Sequence, residues 1–174
     1  MIIVGKRYVV VLAILGLIGL IVAVSGCTSN SSTPSNSSAP SVTLTNFTAK
    51  GVTFNYPSAT WTCVEGDGNT IANLKYKNGN AVAYVKKYPG MSLESLKADV
   101  LADSFPNTNV TETSVGSNSQ YKGYTIDTKA NSPINSTGYY TIFETGGNSY
   151  EIGVASETSM SSIVMYIANS IQVT

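Results

Sequence analysis

Histidine is absent from all 174 residues. That removes the commonest general base and the commonest transition-metal ligand, so histidine-based zinc sites and Ser-His-Asp triads are excluded. Cysteine is almost absent: Cys27 and Cys63 are the two thiols, and Cys63 is alone in the carboxyl-terminal bulk of the chain. No disulfide can form there. A nucleophilic thiol needs an activating partner, so Cys63 is expected to be a buried strand cysteine. Charge is scarce too, at 11% of residues against the roughly 25% usual for soluble domains, and the formal net charge is zero. Lys86-Lys87 is too small a basic cluster to neutralise a phosphate backbone, which excludes nucleic acid as a partner. Ten carboxylates remain, and their spacing marks out no acid/base pair. Asp67, in Gly66-Asp67-Gly68-Asn69, lacks the run of acidic ligands and the closing Glu of a calcium loop, so a solvated turn is expected. No cofactor, metal or catalytic set follows, and the chain reads as a non-enzyme.

What is present begins with a long apolar run. Lys6 and Arg7 precede Tyr8 to Val24, and small residues Ser25 and Gly26 follow. This is the order of a charged region, a hydrophobic region and a processing site. As a helix, the run would span about 26 Å, slightly short of the roughly 30 Å hydrocarbon core. Retained or cleaved, it leaves the basic pair on the cytoplasmic side and sends the rest outward. Val24-Ser25-Gly26-Cys27 looks like a lipobox, the processing site of prokaryotic lipoproteins. Small side chains enter a peptidase cleft, and the Cys27 thiol accepts the lipid. The expectation is a signal peptide or membrane anchor over 1–26, with lipidation at Cys27 and an outward-facing place on the cell membrane. The alternative is a single retained amino-terminal helix.

Thr28 to Ser41 holds only Ser, Thr, Asn, Pro and Ala, and cannot bury enough surface to offset the entropy of ordering. Residues 27–41 therefore read as the lipid-attachment cysteine and a flexible linker, of roughly 20 Å root-mean-square reach. Asn-x-Ser/Thr sequons at Asn30, Asn36, Asn46, Asn109 and Asn135 are candidate N-glycosylation acceptors on an outward-facing chain.

From Val42 onward short alternating segments are broken by Gly, Asn and Pro. Val52, Phe54 and Tyr56 form one strand that Pro57 ends, and Trp61 and Cys63 mark another. Ile71 to Lys77 and Ala81 to Tyr88 flank Asn78-Gly79, a hairpin signal because both residues tolerate positive φ. Gly138 to Glu144 and Ser149 to Ala155 form a second hairpin across Gly146-Gly147-Asn148. Asn109 to Val115 and Gln120 to Lys129 are two further strands. Leu93, Leu96, Val100 and Leu101 carry helical spacing behind Ser92 as N-cap, between Gly90 and Pro106. Met160, Ile163, Val164, Ile167 and Ile171 form a carboxyl-terminal helical stripe, with Ser156 or Thr158 as cap. Two amphipathic helices on hairpin strands make an α+β domain over 42–174, an antiparallel β-sheet with helices packed on it.

Gly51-Val52-Thr53-Phe54-Asn55-Tyr56-Pro57, with Trp61 following, resembles the G-x-x-F-x-Y-P opening of PsbP-like proteins, a family that includes small archaeal lipoproteins. The order of elements is similar to that family through the last helix. The Pro57 to Trp61 spacing is one residue longer than the family's P-x-x-W form, which bears on turn geometry. The resemblance implies an α/β/α sandwich and carries over no catalytic residue. Phe54, Tyr56 and Trp61 read as core anchors.

Tyrosine is the enriched side chain with binding capacity: Tyr76, Tyr84, Tyr88, Tyr121, Tyr124, Tyr139, Tyr140 and Tyr150 fall on or beside strands. Either they pack the sheet or several line one exposed face for a glycan or protein of the envelope. The expected role is thus a lipid-anchored binding or scaffolding module of the cell surface. The alternatives are an accessory subunit of a membrane complex, as the plant member that names the family is, and an envelope hydrolase working with carboxylates alone.

Overall fold

A computed structural model of the chain describes residues 42–131, 136–156 and 160–174. The expectations for the signal segment, Cys27, the linker and the sequons at Asn30, Asn36 and Asn135 fall outside those residues. From Thr43 onward the chain is one compact unit. No described helix is long and apolar enough to cross a membrane.

Among the described residues ten strands and two helices run in the order β1 (Thr45–Ala49), β2 (Val52–Tyr56), β3 (Trp61–Glu65), β4 (Thr70–Tyr76), β5 (Val82–Pro89), α1 (Leu93–Ala102), β6 (Asn107–Val115), β7 (Tyr121–Lys129), β8 (Thr137–Thr145), β9 (Asn148–Ser156), α2 (Ser161–Ser170) and β10 (Gln172–Val173). Seven strands form one sheet in the order β3-β4-β5-β9-β8-β7-β6, every neighbouring pair antiparallel. The others form a small antiparallel sheet, β1-β2-β10. The fold is α+β, with α1 on one face of the large sheet and α2 on the other. The expected sandwich is therefore present.

The two helices define two cores. On the α2 face, Ile163, Val164 and Ile167 pack with Leu74, Val85, Phe143, Tyr150 and Ile152 of the large sheet and Val52 and Phe54 of the small one. Phe143 lies between Tyr121 and Tyr150, with ring centres 5.0 and 5.1 Å away. Gly123, opposite Phe143, makes room, since a Cβ there would meet the Ile142 carbonyl. On the α1 face a smaller core joins Leu96 and Val100 to Ile126 and Ile142. Burial of such aliphatic side chains contributes roughly 1.5–3 kcal/mol each.

Local chemistry explains most boundaries. Ser92 caps α1, its Oγ accepting the Ser95 N–H at 3.2 Å. Glu144 of β8 adds a second cap, accepting the Leu93 N–H at 2.7 Å. Thr60 and Trp61 N–H groups both donate to the Pro57 carbonyl, at 3.1 and 3.0 Å, so the longer Pro57 to Trp61 spacing is taken up in one closed turn. Gly146 and Gly147 both hold positive φ, as the two-residue hairpin between β8 and β9 requires.

The hairpin expected across Asn78-Gly79 is present as β4 and β5, and two expectations are corrected. Neither Asn78 nor Gly79 has positive φ; a Tyr76 N–H to Ala81 carbonyl bond of 3.0 Å closes a longer loop, which needs no left-handed residue. The two-residue turn with positive φ instead joins β1 to β2 at Lys50-Gly51, φ 49° and 74°. The cap of α2 is Met160, without a side-chain bond: Ser156 is the last residue of β9, and Thr158 is outside the described residues.

Candidate functional site

Side chains alternate between faces along a strand, and the register divides the eight tyrosines of the large sheet equally. Tyr76, Tyr121, Tyr139 and Tyr150 point to the α2 face and pack in the larger core. Tyr84, Tyr88, Tyr124 and Tyr140 point to the α1 face. Plain packing thus accounts for the first four, and the second four frame the candidate site.

Their focus is Glu151, in the middle of β9 and 0% exposed. Tyr84 donates to one carboxylate oxygen and Tyr88 to the other, both at 2.5 Å. Gly153, two residues along, permits this. A Cβ there would lie 2.7 Å from Tyr84 Cζ and 2.8 Å from Tyr140 Cδ1, so only glycine lets both rings close over β9. The Lys86 ammonium sits 4.4 Å from the centre of the Tyr84 ring. Burial first, then the Glu151 charge, pushes the Tyr84 phenol well above its usual pKa. A carboxylate with both oxygens holding phenols anchors those rings. Among the described residues no group of three or more Cys, Asp or Glu is placed to hold a metal ion.

Helix α1 covers only one side of this face. Glu94 accepts from the Tyr124 hydroxyl at 2.8 Å and from Lys97 at 3.1 Å, contacts that hold its carboxyl below the ordinary range. The Lys97 ammonium stands 3.9 Å from the centre of the Tyr124 ring. These contacts seat the helix over β8 and β7. Across β3, β4 and β5 the same face is open: Val64 is 61% exposed and Val82 39%, beside exposed Thr62, Asn73 and Lys75 and half-buried Tyr84 and Lys86.

The Gly66 to Thr70 loop, where a solvated turn is expected and Asp67 is exposed, is held from outside by a lysine. The Lys50 ammonium donates to the carbonyls of Gly66, Gly68 and Thr70 at 2.5, 3.0 and 2.8 Å. A lysine from the β1–β2 turn thus occupies the position a bound cation would take. Asp67 contributes nothing to this cage.

The remaining sequence candidates are dispersed. Asn46 lies exposed on β1, its amide donating to Asn55 Oδ1 at 3.4 Å and its Oδ1 accepting from Thr48 at 3.3 Å. Asn109 lies exposed on β6. Each is on an outer strand of its sheet. Cys63, on β3, is half-buried, and burial pushes its thiol up to about 12. The residues that sequence reasoning did not select are Glu151 and Lys50. Glu151 alternates with Tyr150 and Ile152 and so reads as solvent-facing; Lys50 precedes a glycine and reads as a turn residue.

No known family profile matches the chain, and no curated protein matches it. Among solved structures, a crystal structure from Bacteroides thetaiotaomicron is similar over 71% of this chain at 11% identity and TM-score 0.50, and the chain spans 45% of the length of that protein. The solution structure of cyanobacterial PsbP from Synechocystis is similar over 82% of this chain and 98% of its own, at 12% identity and TM-score 0.49. At such identities the likeness concerns fold alone.

Proposed function

We propose that this chain is a PsbP-like, lipid-anchored module of the outer cell surface that binds or scaffolds a protein partner without catalysing a reaction. The observation that carries the binding role is the open half of the α1 face, where Val64, Val82 and Tyr84 lie together with none of the described helices over them. The buried carboxylate beside it is held by two tyrosines, which supports a structural role for it. The anchor rests on the apolar run, the small residues and Cys27 in the order processing requires. The family assignment rests on the Gly51 to Pro57 segment and Trp61. In the fold, Phe54 and Trp61 fill the larger core and Pro57 closes the turn between them. Asn46 and Asn109, both exposed, are the acceptors best presented to a glycosylation system.

Two measurements test this. Intact-mass analysis of the chain extracted from native membranes is expected to give a protein beginning at Cys27 and carrying acyl groups; a chain still beginning at Met1 refutes the lipid anchor. Cross-linking in intact cells from a photoreactive residue at Val82 is expected to capture a protein. The same yield of adducts from a photoreactive residue at Leu44, outside the open half-face, refutes the binding role.

A further inference from the structure

The loop that joins β4 to β5 is pinned at its base and open at its tip. The Tyr76 N–H to Ala81 carbonyl bond of 3.0 Å ties the two strands together, and Lys77 is tied to the β2–β3 turn twice. Its N–H donates to the Thr60 carbonyl at 2.9 Å and its ammonium to the Ser58 carbonyl at 2.6 Å. Beyond these anchors Asn78, Gly79 and Asn80 are all exposed. None of the pinning bonds is made by the Gly79 N–H.

This placement has a chemical consequence. The side-chain amide carbon of an asparagine is the right distance from the next backbone nitrogen to close a five-membered ring. Closure needs a backbone able to rotate and a nitrogen that no neighbouring Cβ shields, and glycine meets both demands. Asn78 is the one asparagine of the chain followed by glycine. Asn69 and Asn118 also lie in loops, but the amides that follow them are held: Thr70 N–H donates to the Asp67 carbonyl at 2.9 Å and Ser119 N–H to the Gly116 carbonyl at 3.0 Å. Asn73 is exposed as well, but it is fixed in the middle of β4 and followed by buried Leu74.

We infer that Asn78 is a site of spontaneous covalent modification, at which the folded chain exchanges an amide for a carboxylate. The Gly79 nitrogen gives its proton to hydroxide and bonds to Asn78 Cγ; the Cγ–Nδ2 bond breaks, and ammonia leaves with a proton from water. The product is a succinimide ring. Water then opens it, the hydroxyl going to one ring carbonyl carbon and the proton to the Gly79 nitrogen. Opening at the side-chain carbonyl gives aspartate, and opening at the main-chain carbonyl gives isoaspartate, whose backbone is longer by one methylene. Water is the only co-reactant, and no oxidant or cofactor enters. The formal net charge passes from zero to minus one. The new carboxylate stands at the end of the hairpin where β5 begins with Val82, opposite Lys75. The margin of the open half-face therefore changes charge as the molecule ages, whether or not that face binds a partner.

Ageing the full chain in detergent, in warm and mildly alkaline buffer, tests this. The expected result is an acidic satellite in ion exchange and a gain of one mass unit in the tryptic peptide from Asn78 to Lys86, which fragmentation places at residue 78. Isoaspartate should exceed aspartate, and the rate should rise with pH. Gly79→Ala is expected to slow the reaction by about tenfold or more, because its Cβ shields the nitrogen. That Cβ would lie 3.2 Å from Tyr76 Cδ1, so circular dichroism checks the fold. Asn78→Gln, which leaves Gly79 in place, should give no satellite. The native rate is expected to approach that of the chain in urea, since the tip is exposed and its backbone lies outside the ladder. A native chain that stays unmodified while the unfolded one reacts overturns the inference. So does a mass gain at Asn73 or Asn80 as fast as at Asn78, or a Gly79→Ala chain that reacts at the unsubstituted rate.

Discussion

Tyr84→Phe removes one oxygen atom and tests whether Glu151 organises the α1 face. The Tyr84 hydroxyl donates to Glu151 at 2.5 Å, and Glu151 is 0% exposed, so water cannot replace the lost donor. Hydrogen bonds to charged groups contribute about 1.5–3 kcal/mol, so a loss of about 2 kcal/mol is expected near neutral pH. With an unfolding entropy of about 2.1 cal/mol/K per residue over the folded unit, that is a fall of roughly 7 °C in Tm. Tyr124→Phe is the matched control. It deletes the same atom from a bond to exposed Glu94, where water replaces the lost donor and a much smaller loss is expected. Tyr84→Phe has a second effect, in alkali. Because the Tyr84 pKa is raised in the fold, the native state keeps this proton after the unfolded chain begins to release its own near pH 10. Stability is therefore full below about pH 10 and declines above it, by up to about 1.4 kcal/mol per pH unit for one proton. Tyr84→Phe should flatten that decline. Urea titrations at pH 7 and across pH 9–11 measure both effects. Equal midpoints for the two variants at pH 7, or an unchanged alkaline slope in Tyr84→Phe, would refute the role given to Glu151.

Two further outcomes are expected. Lys50→Met empties the three-carbonyl cage of the Gly66 to Thr70 loop; about 1–3 kcal/mol should be lost, with faster hydrogen exchange at the loop amides, and unchanged exchange there would sink the idea that Lys50 holds the loop. Cys63, its thiol pushed up to about 12, should react with iodoacetamide at pH 8 far more slowly in the native chain than in urea, and equal rates would contradict its burial.

Much of the architecture could be read from local pattern. Alternation placed six of the seven large-sheet strands to within two residues at each end, and the stripe from Ile163 to Ile171 marked the helix that closes the larger core. Turn chemistry was legible where two residues set the geometry alone, as at Gly146-Gly147, and misleading at Asn78-Gly79, where a longer loop relieves the demand for positive φ. Lys50-Gly51 carried the same kind of signal in a less familiar pair, so β1 and the hairpin it forms with β2 went unseen. β10, two residues long, has no period to detect.

The sequence by itself determined the absence of histidine chemistry and the order of an apolar run, a cysteine and a polar linker, because composition and contiguous pattern need no folding to be read. It determined the alternation of the strands and the stripes of the helices for the same reason: those periods are local. Which face each tyrosine takes part in, and what waits there, was decided by tertiary structure. Glu151 is buried because β9 lies at the centre of a seven-stranded sheet, where the neighbouring strand β5 brings Tyr84 and Tyr88 onto it and Gly153 leaves the rings room. The open strip over β3, β4 and β5 exists only because one helix is narrower than seven strands, a relation between elements that no stretch of the chain contains alone.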